Sequence, residues 1–73
     1  MSLTVALYLR IHKFYWANKA RVYPNTILLT EDQLYSYYPS LSKEDRSSVK
    51  IESLCGLEVI LIDYIEKPRL LRL

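Results

Sequence analysis

His12, Cys55 and the acidic pair Asp63 and Glu66 are the residues of this chain whose types suit acid–base or nucleophilic chemistry. His12 and Cys55 are each the single residue of their kind, so a triad or a thiol–imidazole pair would have to use that one imidazole as base. The surroundings do not suit the task. His12 opens the stretch HKFYWANKARVY, residues 12–23, which holds no acid to orient the ring. Cys55 precedes Gly56 in a turn between two apolar runs, where a small buried apolar residue is the expected role. Asp63 and Glu66 follow a strand-like run and are expected to be solvated or paired with Lys67 or Arg69. One glycine cannot build a phosphate-cradling loop. One cysteine and one histidine supply neither an internal disulfide nor a Cys/His zinc cage. The expectation is a protein that is not an enzyme and uses no cofactor or metal.

Binding is the better class for residues 12–23, which pack four aromatic side chains and three positive charges into twelve positions. Arg10, Lys13, Lys19 and Arg21 suit phosphate neutralisation, with Trp16 or Tyr15 stacking on an unpaired base. Trp, Tyr and Arg are also the favoured anchors of protein interfaces. The chain has nine aromatics, more than a core of 73 residues obviously requires. Interaction with a protein partner or with a second copy of the chain is therefore the leading expectation. A small nucleic-acid-binding protein with a basic aromatic N-terminal helix is the alternative.

Charge sharpens the question. The net charge of +2 divides into +4 over residues 1–23, −5 over 24–66 and +3 over 67–73. Such asymmetry marks either a binding face or internal complementarity, with basic ends folded against an acidic middle; the internal arrangement is the expected one. A chain of this length forms one domain and buries only about 60% of its unfolded surface. With an internal disulfide and a Cys/His zinc cage excluded by composition, tight packing and homo-oligomerisation are the remaining sources of stability. The lone cysteine fits a reducing cytoplasm. LTVALYL, residues 3–9, follows no basic segment and is interrupted by Arg10 and Lys13 well short of the ~20 residues of a membrane span, so neither export nor a membrane partner is expected.

The elements that must position these residues are legible in part. Residues 3–21 fit two periods: Leu3, Val5, Leu7, Leu9 and Ile11 alternate as in a strand, whereas Leu7, Ile11, Phe14, Tyr15 and Val22 form a helical stripe. Nineteen residues are long for a strand, which favours a helix closed by Pro24; a strand with a turn at residues 17–20 is the alternative. In the helix, Phe14, Tyr15 and Val22 turn inward. Trp16 then faces away with His12 and Lys19 one turn to either side, while Arg10, Lys13 and Arg21 are spread around it. NTILLT, residues 25–30, reads as a buried strand ending in a capping box, Thr30 with Gln33, that opens a helix over 31–38 whose Leu34, Tyr35 and Tyr38 share one face. Ser42 begins a further helical turn. Residues 49–53 alternate as a strand with one wet face, residues 54–56 turn, and residues 57–63 form a strand covered on both faces. Residues 67–73 suit an edge strand that tolerates Pro68. The sum is an α+β, two-layer domain: an N-terminal helix and short helices on a three- to four-stranded mixed sheet, with some parallel pairing through the 31–38 crossover.

VYPNTILLTEDQLYSYY at 22–38 and IESLCGLEVILID at 51–63 together resemble a pattern of small uncharacterised bacteriophage and prophage proteins. There, a strand opened by Pro-Asn leads into a capped helix, and a Gly-apolar-x-Val-Ile strand ending in an acid follows. Pro24, Asn25 and Ile27 match the first part; Gly56, Leu57, Val59, Ile60 and Asp63 match the second. The resemblance implies a phage-like origin and no particular activity.

Overall fold

The computed structural model describes residues 2–73. In chain order the elements are α1 (Leu3–Ala17), β1 (Thr26–Leu29), α2 (Glu31–Tyr35), a 3-10 turn (Asp45–Ser48), β2 (Ser53–Leu54), β3 (Leu57–Leu61) and β4 (Arg69–Leu71). The strands form one mixed sheet in the order β2-β3-β1-β4. β1 runs parallel to β3 and antiparallel to β4, and β2 is antiparallel to β3. The expected α+β architecture is therefore the one observed, with α2 in the crossover between the two parallel strands.

Local chemistry sets several boundaries. The Ser2 hydroxyl accepts the Val5 amide at 3.1 Å and caps the start of α1. The helix stops at Asn18, not at Pro24. The Asn18 side-chain oxygen takes the Ala20 amide at 2.9 Å, offering the backbone a turn in place of another helical bond. Arg21 then adopts a left-handed φ of 52°. Residues 18–21, expected to be helical, consequently form a turn, and Lys19 leaves the helix surface.

The capping box of α2 is present in both halves: Thr30 Oγ1 accepts from the Gln33 amide at 3.2 Å, and Gln33 Oε1 accepts from the Thr30 amide at 2.9 Å. The α-helix is shorter than the 31–38 span; beyond Tyr35 it tightens into turns in which Tyr37 and Tyr38 donate to Leu34 and Tyr35 carbonyls. The Ser42 hydroxyl accepts the Asp45 amide at 3.3 Å within a turn, but the 3-10 turn itself begins at Asp45, with Glu44 at its N-cap position and no side-chain cap. Cys55 and Gly56, at φ 52° and 79°, are both left-handed and make the two-residue hairpin turn between β2 and β3.

The core lies on one face of the sheet. Ile27 stands in register with Val59 on one side and Leu70 on the other, so their side chains project together. Leu29, Leu54 and Leu57 extend this face, and Leu7 of α1 and Leu34 of α2 close over it with Ile11, Phe14, Tyr37 and Tyr38 at the margin. Both helices share this layer, and on the opposite face Leu28 and Ile60 are only half-buried between exposed Glu58 and Arg69. The expectation that residues 57–63 are covered on both faces is thus overturned: their apolar run serves a sheet with a single helical layer. The first hairpin strand is likewise shorter than residues 49–53, because the chain leaves the sheet ahead of Ser53 after one last bond from the Val59 amide to the Glu52 carbonyl.

Candidate functional site

α1 carries apolar side chains on two sides. Leu7, Ile11 and Phe14 recur at helical spacing and meet the sheet. Val5, Leu9, His12 and Trp16 recur at the same spacing about half a turn away and are exposed, Leu9 at 47% and Trp16 at 56%. Tyr8 borders them, also exposed. A helix apolar all round is normally buried all round. Here the second stripe is left exposed among the described residues.

Trp16 is held in place although it lies in solvent. Its Nε1 donates to His12 Nε2 at 2.9 Å, one turn back, which requires that nitrogen to be unprotonated. Its ring meets Tyr15 edge-on at 5.4 Å, and Tyr15 stacks on Tyr23 at 4.4 Å. Tyr15 therefore belongs to this surface cluster and not to the inward stripe in which helical spacing placed it. The Arg21 guanidinium lies 5.1 Å from the Trp16 ring centroid. It also donates to the Trp16 and Asn18 carbonyls at 2.8 Å each, capping the end of α1. Arg21, expected as a cation offered to a partner, is thus engaged at home, with its aromatic contact stiffening Trp16. Pre-ordering of this kind lowers the entropic cost of using a side chain as an anchor.

The remaining expected residues divide differently. His12 and Trp16 are brought together, whereas Lys19 stands apart in the turn after the helix, exposed. Arg10 and Lys13 occupy the flank of α1 that faces β4. The Arg10 guanidinium donates to the Pro68 carbonyl. Arg10, Lys13 and Arg69 then line a shallow groove of about 380 Å³ floored by Phe14, Ala17 and Leu70. Arg10, Lys67 and Arg69 line a second of about 280 Å³, where Glu66 is the one acid. Internal complementarity of the basic ends and the acidic middle is not realised as ion pairing. Among the described residues the ion pairs are Arg46 with Asp32 at 3.6 Å and Lys50 with Glu52 at 3.4 Å, all within the middle segment. Helical spacing alone scatters the cations of α1; the fold gathers two of them with the cations of the C-terminal segment.

Val5, Leu9, Lys67 and Arg69 lie outside the set of site residues that the sequence points to. The first two were visible as a second helical stripe, concealed by their equally good fit to strand alternation. Lys67 and Arg69 had no local signal.

Away from this surface, a groove of about 1050 Å³ runs between β3 and residues 47–53, lined by Tyr35, Val49, Ile51, Val59 and Leu61 among others, and shares no residue with α1. Near the hairpin turn, a hydrogen bond with the Cys55 side chain, followed by the charge the thiol can carry and by burial, raises the Tyr8 phenol above its ordinary value of 10.0. Tyr37 is raised chiefly by burial, against the opposing pull of Arg10. Among the described residues no group of three or more His, Cys, Asp and Glu side chains gathers as a metal site, and no helix is long and apolar enough to cross a membrane. Comparison with protein-family models, with curated proteins and with solved structures finds no match to this chain.

Proposed function

We propose that this chain is a non-enzymatic interaction module, of the phage-protein kind its sequence resembles, that docks a protein partner on the outward face of α1. The observation that carries this reading is the uncovered stripe Val5, Leu9 and Trp16, with Trp16 held by His12 and Arg21. Burying one such side chain is worth about 1.5–3 kcal/mol, and tryptophan is the residue most enriched among interface anchors. Trp16 is more than half exposed and is not part of the core cluster. The expected outcome is that the chain captures a discrete protein from a bacterial lysate and that Trp16→Ala, while keeping the helical circular dichroism of the parent, loses it. A clean monomer by light scattering with no partner recovered overturns the reading.

Nucleic-acid binding is the second reading, favoured by the position of Lys13 between Trp16 and the groove cations Arg10 and Arg69. It requires affinity that falls steeply with salt, in proportion to the phosphates neutralised. Flat or absent binding to single- and double-stranded probes at low salt rules it out.

A further inference from the structure

Resting on the reading of α1 as a protein-docking face, we infer that the partner presents an acidic amphipathic segment, with apolar side chains on Val5, Leu9 and Trp16 and carboxylates on Arg10, Lys13 and Arg69. Position on the helix makes the two halves of this surface continuous. Successive steps of three residues turn a helix by about 60° in one sense, so Trp16, Lys13 and Arg10 follow one another around α1 from the apolar stripe to the β4 side. Arg69 then stands across the shallow groove from Lys13.

Charge selects the chemistry. Four cations, Arg10, Lys13, Lys67 and Arg69, line the two adjoining grooves with Glu66 alone opposing them, and among the described residues none of the four is in an ion pair. Holding like charges together is unfavourable in the free chain, and a complementary anion relieves it while steering the encounter. A second copy docked by a two-fold axis through this face would bring the same acid-poor surface, offering these cations no carboxylate beyond Glu66. A nucleic acid would satisfy the cations but would leave the aliphatic Val5 and Leu9 against phosphate and water, where they gain nothing. An acidic amphipathic peptide uses both parts, as helix-in-groove ligands do.

The test is selection from a displayed random-peptide library on the immobilised full chain, followed by titration of the enriched peptides against Trp16, the single tryptophan and hence an unshared fluorescence reporter. Enriched peptides are expected to carry net negative charge with apolar residues at i, i+3 and i+4 spacing, and to shift Trp16 emission to the blue on binding. The double variant Lys13→Glu, Arg69→Glu is expected to weaken binding by about tenfold or more, equivalent to ~1.4 kcal/mol, with unchanged circular dichroism. A variant that fails to fold is replaced by Lys13→Gln, Arg69→Gln, expected to weaken binding in the same direction. Enrichment of neutral or basic peptides, or tight binding unaffected by either charge variant but abolished by Trp16→Ala, overturns the acidic partner and leaves the docking face standing. Peptides indifferent to Trp16→Ala, or no enrichment at all, overturn both. Binding of an oligonucleotide or of phosphatidylglycerol vesicles with no enriched peptide assigns the cations to a different class of ligand and likewise overturns the inference.

Discussion

The guanidinium of Arg10 donates to the carbonyl of Pro68, 58 residues further along the chain. That contact joins the two basic ends of the sequence and seats α1 against the edge strand β4. A hydrogen bond from a charged donor contributes about 1.5–3 kcal/mol when buried, and this one is only partly so. Arg10→Met is expected to lower stability by about 1–2 kcal/mol, read as a lower urea midpoint at unchanged m-value. Arg10→Lys should recover only part of this, since the ammonium is more strongly hydrated than the guanidinium and costs more to withdraw from water. A midpoint within error of the parent would show that the contact does not hold the helix.

The pairing of Trp16 with His12 makes a separate prediction. Removing the acceptor by His12→Ala should leave global stability within about 0.5 kcal/mol, as expected for an exposed site. Trp16 emission should change in intensity and its anisotropy should fall as the ring gains freedom. Unaltered anisotropy would mean that Tyr15 and Arg21 alone hold the indole.

Gln33 works in two directions. Its oxygen completes the capping box with Thr30, and its Nε2 donates to the Ile65 and Glu66 carbonyls at 2.8 and 3.3 Å, tying α2 to the segment ahead of β4. Gln33→Glu keeps the cap but turns donors into an anion facing two carbonyls. It should cost about 1–2 kcal/mol, whereas a purely local capping role predicts no loss, because glutamate caps as well as glutamine. Thermal denaturation of the pair Gln33→Glu and Gln33→Ala separates the two roles.

Alkaline pH addresses Tyr8 and Tyr37. Both phenols are raised above 10.0, so the fold favours their neutral forms. The stabilisation this supplies is complete below pH ~10 and is lost as pH rises through the raised values, because the unfolded chain releases those protons first. Spectrophotometric titration should show a late-ionising fraction among the seven tyrosines. Cys55→Ala should bring part of it back toward the ordinary range, by removing the main cause of the Tyr8 shift. A single ordinary transition for all tyrosines in the native chain would contradict this arrangement.

What the sequence determined by itself is local. The Thr30–Gln33 box, the Cys55–Gly56 turn and the outward Trp16 all depend on interactions between residues at most four apart, which spacing and residue type specify. The end of α1 is local too, since the Asn18 side-chain oxygen takes the Ala20 amide into a turn, but Pro24 is the louder signal. What only the tertiary structure decided is where distant segments meet. Whether β4 lies beside β1, and on which side of α1, depends on strand order and on which side chains fill one shared core face. No periodicity in residues 3–17 encodes the approach of Lys67 and Arg69. The cations of the two ends became one surface because Leu7 and Leu70 are buried in the same core, carrying Arg10 and Arg69 to the rim of the seam between their two elements.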